Sequence, residues 1–478
     1  MKCNKKILAV AAAGALTVAT AVPALALENE FHGTFTSFYD NSNFSAVGND
    51  GFEQSTTRNA TGLQKNAPTE NYFVQRVRLN YNAKASDQVK LVTKFEMDYS
   101  FWGNSNFAVK RNSGGGIGAD SVQIETKNLY LELNYPAVNA KIGMQGYNDS
   151  FKGVLFDDDM AGVLLSHEYA NASVTAGFFR FLDNGDVIGK NDFDMIALDS
   201  SYKVTKDFKV GAAYYYINDN RTNGSSSVTT ASNAANGVDI SGNAVFPLGT
   251  TFTTVTTPNA NNNVKVHNIG INAEGVVGPV TLSGFALAQF GQRSDTQLFD
   301  QSVTRNAHGF ALNLSGKAPV MGGTLRSDFF YVSGGKNAFY VPGTATAGTH
   351  GGALYDTEMI MLHRDKNAKT IDQAIVNDVN NYNQGLIIGT VGFDHPCTDK
   401  ITSSVNAGFA AVANNVNNSG TSNYLGTEIN VESNYKLNPN TTIGIRGGYV
   451  FLGDFFDTAA THNADNPYDV KIIANFAF

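Results

Sequence analysis

Cysteine is almost absent from this chain: only Cys3 and Cys397 occur among its 478 residues. Cys3 lies in an N-terminal stretch that we expect to be removed, so Cys397 stands alone in the mature chain. A lone cysteine excludes an intrachain disulfide, a CxxCH haem attachment and a cysteine-built zinc site. Long apolar runs are missing too, because beyond the N-terminal stretch no segment approaches the roughly 18 consecutive apolar residues of a membrane-spanning helix.

Signatures of catalysis are also absent. The sequence contains no GxSxG, HExxH or glycine-rich phosphate-binding motif, and its 8 histidines are dispersed. Basic residues are in the minority, with 34 Lys and Arg against 42 Asp and Glu. This acidic balance argues against a nucleic-acid partner. We therefore predict a protein that is not an enzyme and that has no cofactor and no dedicated metal site.

The N-terminus has the pattern of a secretory signal. Three lysines among the first six residues precede an apolar run from Ile7 to Val22, and the small-residue site Ala24-Leu25-Ala26 closes the run. A membrane anchor is the alternative, but the run is short and rich in Ala and Gly. We therefore predict a signal peptide over residues 1–26 and a single domain over residues 27–478.

Aromatic residues are plentiful, with 32 Phe and 20 Tyr, and they occur in strands that have two unlike faces. In the segment Gln88–Trp102, alternate positions form one almost wholly apolar set and one mainly polar set. Successive side chains of a β-strand point to opposite faces, so this pattern indicates a strand between an apolar phase and water. The polar set contains Lys90, Lys94, Glu96 and Asp98.

The same pattern recurs along the chain and gives 18 predicted strands, or 16 if one hairpin is miscounted. Their connections alternate between eight tight turns and nine longer polar loops, which is typical of a transmembrane barrel with turns at one end and loops at the other. An open sheet edge would cost several kcal/mol per unpaired backbone group in hydrocarbon, so the array must close. We predict an all-β, antiparallel up-and-down barrel whose lumen is too wide for side chains to fill.

The mature chain resembles the Gram-negative outer-membrane porins, and is most similar to the large single-chain porins of anaerobic metal-reducing bacteria. The sharpest element is the ending Val470–Phe478, with apolar residues at alternate positions and a terminal Phe. The resemblance implies a multi-pass barrel in the lipid of the outer membrane that admits ions and small polar solutes by passive diffusion. It also implies a homotrimer, and Phe478 as part of the signal read by the barrel-assembly machinery.

The working residues of such a channel would be the charges that line its pore. Arg76 and Arg78 share one polar face, and a turn centred on Ser86 would place Arg76 opposite Glu96 and Arg78 opposite Lys94. A lipid-facing Arg would cost about 2–4 kcal/mol at the bilayer midplane, which favours the lumen for these side chains. The other polar-face charges that we expect in the lumen are Lys90, Asp98, Arg326, Asp328 and Arg446.

Three consecutive aspartates, Asp157, Asp158 and Asp159, stand in the predicted loop Asn148–Ala161 after the fifth strand. In general porins the third extracellular loop folds into the barrel and its acids face a basic cluster, so the resemblance implies a constriction role for these aspartates. The loop lacks the Pro-Glu-Phe-Gly-Gly segment of that family. A solvated patch or a loose calcium site is therefore the alternative.

Two other functions stay open at the level of the sequence. A barrel that sheathes or anchors a partner, such as a multihaem cytochrome, should co-purify with it and show no open-pore conductance. A barrel enzyme should have a compact lumen filled with side chains and should turn over lipid or peptide. Glu358, His363 and Asp365 could be arranged as a metal site, although scattered surface polarity explains them better.

Overall fold

A computed structural model describes most of the chain downstream of the predicted signal peptide, which itself lies outside the described residues. The described residues are 28–44, 63, 65–67, 69–103, 124–183, 191–221, 225–231, 237–238, 244–245, 252–258, 264–294, 304–342, 355–364, 374–376, 378–381, 383–416, 422–457 and 463–478. They form an antiparallel sheet of 18 strands and two small two-stranded sheets. No helix among these residues is long and apolar enough to cross a membrane.

The strands of the barrel lie close to the segments with two-faced patterns. They are β1 (Glu28–Ser42), β2 (Glu70–Ser86), β3 (Val89–Phe101), β4 (Ile124–Tyr135), β5 (Val138–Asn148), β6 (Asp157–Glu168), β7 (Ala172–Asp183), β8 (Asp192–Thr205), β9 (Phe208–Asp219), β14 (Val264–Val277), β15 (Val280–Ser294), β16 (Thr304–Val320), β17 (Gly323–Val332), β18 (Leu386–Pro396), β19 (Ile401–Ala411), β20 (Tyr424–Asn438), β21 (Thr441–Leu452) and β22 (Tyr468–Ala477). Between β9 and β14, β10 (Ser225–Ala231) pairs with β13 (Phe252–Pro258), and β11 (Gly237–Val238) pairs with β12 (Ala244–Val245). Two 3-10 turns, Gly335–Asn337 and Asp454–Phe456, complete the described elements.

The sheet closes between its first and last strands. β1 pairs antiparallel with β2 on one side and with β22 on the other, so that Phe35 lies opposite both Val77 and Phe476. The backbone N–H groups of Gly33 and Phe478 each donate to the carbonyl of the other residue, at 2.8 and 3.0 Å. Closure leaves no sheet edge exposed, and the prediction of an 18-stranded antiparallel barrel is confirmed.

The two ends of the barrel differ as expected. Eight connections are turns of two to four residues and alternate with nine longer ones. One boundary is corrected, because β6 begins at Asp157 and not at Gly162. The three aspartates therefore belong to the start of a strand, where they pair with β5, and not to the loop before it.

The wall has an apolar outer face and a mixed inner face. On β14, Ile269 and Ile271 are 53% and 63% exposed, whereas Asn268, on the opposite face of the strand, is fully buried. On β17, Phe329 is 41% exposed and the adjacent Phe330 is fully buried. Large apolar side chains exposed on one face fit lipid, since exposing them to water would forfeit about 1.5–3 kcal/mol each. The buried inner-face residues must be covered from within the barrel.

Two connecting segments contribute to this cover. Residues 149–156, between β5 and β6, and residues 355–364, between β17 and β18, belong to the same buried apolar cluster as the inner-face residues Tyr215 and Phe330. Among the covering side chains, Phe151, Leu155 and Leu362 are fully buried. We call these segments the first and second inward loops. Together they bring new side chains into the lumen.

Candidate functional site

The first inward loop, residues 149–156, is organised by the carboxylate of Asp149. Phe151 and Gly153 donate their backbone N–H groups to Oδ1 at 2.6 and 3.3 Å, and Leu155 and Phe156 donate to Oδ2 at 2.6 and 2.7 Å. Burial raises the pKa of Asp149 to about 6, while these four N–H groups favour the charged form. One side chain thus folds an eight-residue loop into a compact unit.

Phe151 packs the first inward loop against the inner face of the barrel. Its ring centroid lies 6.0 Å from that of Tyr215 on β9 and 5.5 Å from that of Phe285 on β15. Between these strands, Gly270 of β14 leaves space for the ring, because a Cβ atom there would lie 2.5 Å from Phe151 Cζ. The glycine is therefore required by a close approach and not by a turn.

The base of the first inward loop is fixed to the wall through Asp199 on β8. Its carboxylate accepts hydrogen bonds from Tyr147 Oη at 2.6 Å, from Ser150 Oγ at 2.5 Å, and from Tyr215 Oη. The backbone N–H of Ser150 also donates to Tyr215 Oη at 2.9 Å. Hydrogen bonds to a charged acceptor contribute about 1.5–3 kcal/mol each, so this anchor resists displacement of the loop.

The second inward loop, residues 355–364, is held by Glu428 of β20. The carboxylate of Glu428 is fully buried and accepts the backbone N–H groups of Ile360, Met361 and Leu362 at 2.7, 3.0 and 2.7 Å. The side chain of Asn430, on the same strand, donates to the carbonyl of Glu358 at 2.8 Å. The wall thus supplies the partners that this extended loop segment lacks internally.

An ion-pair network on the wall also holds the second inward loop. Glu358 pairs with Arg326 of β17, which is itself bound to Asp394 of β18 at 2.6 and 2.7 Å in a bidentate geometry. Arg326 Nη2 also donates to Asn406 Oδ1 at 3.0 Å. The side chain of Arg326, which we predicted to line the lumen, is 8% exposed and binds the second inward loop through Glu358.

The two inward loops meet at Asp328 of β17. Tyr355 Oη, from the second loop, donates to Oδ2 at 2.6 Å, and Lys152 Nζ, from the first loop, lies 3.5 Å from Oδ1. Ser315 and Asn313 of β16 donate to Oδ1 at 2.5 and 2.9 Å. Asp328, a residue that the sequence places on a polar face, is thus the point where both loops and the wall join. We call this group the Asp328 junction.

Lys152 is the charged group that the Asp328 junction presents to the lumen. Its Nζ donates to Asn313 Oδ1 at 2.7 Å and to Ser315 Oγ at 2.6 Å, and its side chain remains 42% exposed. Burial of part of the side chain lowers the pKa of Lys152, and Asp328 acts in the opposite direction. On the other side, Tyr355 stacks on Phe330 with ring centroids 3.9 Å apart, and burial raises the pKa of its phenol.

A second charged group lies on the wall formed by β2, β3 and β4. Arg78 is hydrogen-bonded to Glu96, and Arg76 Nε lies 3.9 Å from the same carboxylate. The predicted pairing was wrong by two residues, since Arg78 and not Arg76 lies opposite Glu96. The cause is that the chain turns at residues 87–88, with a register shift between Lys84 and Ser86.

Lys127 on β4 connects this wall cluster to the aspartates of β6. Its Nζ lies 3.6 Å from Glu96, 3.4 Å from Glu125 and 3.9 Å from Asp159. Asn128 donates to Asp159 at 3.3 Å. Of the three predicted aspartates, Asp159 therefore reaches the basic wall, although it does so from a strand. Asp157 and Asp158 pair with Asn148 and Tyr147 of β5.

The remaining predicted pore residues are dispersed. Lys94 lies opposite Asn80, and Lys90 pairs with Glu132 at 3.3 Å. Arg446 is 3% exposed and lies opposite Glu432 and Lys471. Asp98 belongs to β3, but its side chain lies outside what the structure describes. The structure thus joins Arg76, Arg78, Glu96 and Asp159 in one cluster, and places Arg326 and Asp328 on another wall.

The metal-site alternative gains no support from the second inward loop. Glu358 is bound to Arg326, and His363 is completely buried, with burial lowering its pKa to about 3. Asp365 lies outside the described residues. Within the part of the chain that is described, no group of three or more His, Cys, Asp or Glu residues is arranged to hold a metal ion.

Sequence reasoning missed Asp149, Lys152, Tyr355, Asp199 and Lys127. A signal for the first inward loop was present, because the short connection after β5 contains Phe151, Val154, Leu155 and Phe156. Four apolar residues in an eight-residue loop indicate that the loop is buried. The contacts of Lys152 and Tyr355 had no local signal, since their partners lie 161 and 27 residues away.

Comparisons with known proteins add to this geometry. No family model matches the chain, and no curated protein matches it. The crystal structure of Pseudomonas aeruginosa OccK5 (OpdH) is similar, with 12% identity, a TM-score of 0.51, and coverage of 94% of this chain and 98% of that chain. The outer membrane protein opdK from Pseudomonas aeruginosa gives 10% identity, a TM-score of 0.50, and coverage of 94% and 98%.

A third solved structure, Pseudomonas aeruginosa OccK3 (OpdO), matches with 10% identity, a TM-score of 0.50, and coverage of 94% of this chain and 96% of that chain. At these identities the likeness concerns the course of the backbone over nearly the whole length of both chains. The chain therefore has the fold of the outer-membrane porins, a closed 18-stranded antiparallel barrel.

Proposed function

We propose that this protein is an outer-membrane channel through which ions and small hydrophilic solutes diffuse passively. The observation that carries the proposal is the Asp328 junction, where two inward loops meet on the wall of an 18-stranded barrel. A barrel of 16 to 18 strands encloses water if nothing fills it. Inward loops that present Lys152 to this space would narrow the passage and select among solutes by charge and size.

The other parts of the proposal rest on the resemblance seen in the sequence. The barrel would lie in the outer membrane with its long connections outside and its eight turns in the periplasm. Residues 1–26 would direct export, and the terminal Phe478 would be read by the barrel-assembly machinery. A homotrimer, and kinship with porins of anaerobic metal-reducing bacteria, are further parts of the proposal.

The charges of the lumen support selectivity and not catalysis. Glu96 is shared by Arg78, Arg76 and Lys127, and Lys152 faces Asp328 at the other cluster. Charged groups that line a passage create a local electric field, which attracts solutes of the opposite charge and repels those of the same charge. A sheath for a partner such as a cytochrome would need a lumen free of such loops.

The test is planar-bilayer recording of the purified chain across a potassium chloride gradient. We expect stepwise conductance and a stable reversal potential that reports ion selectivity. Heat-modifiable migration on gels should first verify that the barrel is folded. Folded protein that inserts into the bilayer and gives no conductance would overturn the proposal, and a tightly co-purifying haem protein would favour the sheath instead.

A further inference from the structure

A pocket of about 440 Å³ lies where the barrel closes, at the end that carries the short turns. Its lining comes from the first two and the last three strands and from the turn between β20 and β21. The lining residues that matter here are Thr34, Thr36, Arg76, Arg78, Lys436, Asn440, Thr442 and Asn475. Among the described residues that line the pocket, none is Asp or Glu.

Several of these side chains form a row across the wall, which follows from the pairing register of the strands. In the register of the sheet, Arg76 lies opposite Thr36, Thr36 opposite Asn475, Asn475 opposite Thr442, and Thr442 opposite Lys436. Neighbouring strands are roughly 4.8 Å apart, and directly opposed residues share one face of the sheet. The row therefore puts cations at both ends and hydroxyl and amide groups between them.

On β2, β1 and β22, the next row away from the turn end is apolar. Val74 lies opposite Phe38, and Phe38 lies opposite Ile473. These three side chains are 0%, 2% and 2% exposed. An apolar, covered row cannot hydrate an ion, so it bounds the polar row on the side away from the short turns. The pocket is thus a recess on the turn side of this apolar row, apart from the Asp328 junction.

The charge of the recess is positive. Glu96 is the carboxylate bound to Arg78, and its side chain is 3% exposed, so it faces the cluster of β2, β3 and β4 and does not line the recess. Arg78 keeps 35% of its side chain exposed, and Lys436 is exposed. Guanidinium groups match the geometry of oxyanions, and hydroxyl and amide groups can complete their hydrogen bonding.

The geometry points to a binding site for a compact oxyanion of the phosphate or sulfate type in this recess. A water molecule in the liquid occupies roughly 30 Å³, so the volume is sufficient for a tetrahedral oxyanion and part of its hydration shell. The inference deepens the proposed function, and rests on it for the role of the site. An oxyanion held at the turn end would be a solute poised at the periplasmic mouth of the channel.

The test is equilibrium dialysis of radiolabelled inorganic phosphate against the full folded chain in detergent, at constant ionic strength. We expect saturable binding that sulfate competes for and that chloride at the same ionic strength does not. K436Q should weaken binding about tenfold, which is the effect of losing one hydrogen bond to a charged group. T442V removes a hydroxyl without changing charge, and should weaken binding less.

The matched control is K206Q, because Lys206 is 90% exposed in another short turn at the same end and lies outside the recess. K206Q should bind phosphate like the unaltered chain. Equal weakening by K436Q and K206Q, competition by chloride as strong as that by sulfate, or absence of saturable binding in folded protein would each overturn the inference. Conductance in potassium chloride tests the channel separately, so the two proposals can fail independently.

Discussion

Replacing Asp328 by Asn tests whether the Asp328 junction holds the two inward loops. In the native chain Oδ2 accepts from Tyr355 Oη at 2.6 Å, and that hydroxyl already accepts from Asn313 Nδ2 at 2.7 Å. In either orientation the amide nitrogen of Asn replaces an oxygen that accepts a hydrogen bond, from Tyr355 at Oδ2 or from Ser315 and Asn313 at Oδ1, so a donor loses its acceptor. The substitution also removes the charge beside Lys152, at 3.5 Å.

The magnitude follows from these two losses. A buried donor without a partner costs about 1–3 kcal/mol, and a partly exposed ion pair contributes about 0–1 kcal/mol. We therefore expect D328N to destabilise the inward arrangement by about 1–4 kcal/mol relative to displaced loops. Each 1.4 kcal/mol changes an equilibrium tenfold, so the population of displaced loops should rise about 5- to 1000-fold.

Single-channel recording should detect this change as more frequent transitions to a level of larger conductance. Y355F removes the same hydrogen bond without altering charge, and should reproduce the transitions but not any change in ion selectivity. D207N is the matched control, because Asp207 is 55% exposed in a short turn. Transition frequencies in D328N and Y355F that equal those of D207N would refute the role of the Asp328 junction.

Two other perturbations test the charged groups. E96Q should raise the chloride-to-potassium permeability ratio about fivefold, because Arg78, Arg76 and Lys127 lose the carboxylate that they share and a unit charge near a passing ion changes the free energy of that ion by about 1 kcal/mol. Reversal potentials measure the permeability ratio, and a shift toward potassium selectivity would contradict the prediction. For pH, burial raises the pKa of Asp149 to about 6, so the inward loop binds a proton more tightly than a displaced loop does. The stabilisation of the inward loop by protonated Asp149 is complete below the ordinary aspartate pKa and is lost as the pH rises through about 6. Transitions to the level of larger conductance should thus be rarer at pH 5 than at pH 7.5, and D149N should reduce this pH dependence. A pH dependence that D149N leaves unchanged would show that Asp149 is not its cause.

The strands were predictable because each has to satisfy two solvents. β14 was expected at Val264–Val277 and has those bounds, and its positions alternate between buried and more exposed from Val264 to Ile271. Register was harder, because the turn lies at residues 87–88 and not at Ser86, so that Glu96 lies opposite Arg78 and not opposite Arg76. Alternation defines which face a residue occupies, but a shift of two residues leaves the faces unchanged.

The site was predictable only in part. Polar faces identified Asp328, Arg78 and Glu96 as candidates, because a strand position determines which face a side chain occupies, but they did not identify the pairing of Arg78 with Glu96. The inward loops were not predictable in the same way. Asp149 accepts hydrogen bonds within its own loop, but Glu428 accepts them from backbone groups 66 to 68 residues away in sequence. No periodic pattern in the sequence predicts such a distant contact.

Closure of the barrel has a consequence for how the chain can fold. Thr36 Oγ1 donates to Asn475 Oδ1 at 2.7 Å across a separation of 439 residues. Bringing such distant segments together lowers the entropy of the chain before the contact between them can stabilise the fold, so such pairings form slowly. Neither β1 nor β22 can complete its hydrogen bonds until the other arrives. The pairing of β1 with β22 is therefore the step of folding in which an open sheet becomes a closed barrel.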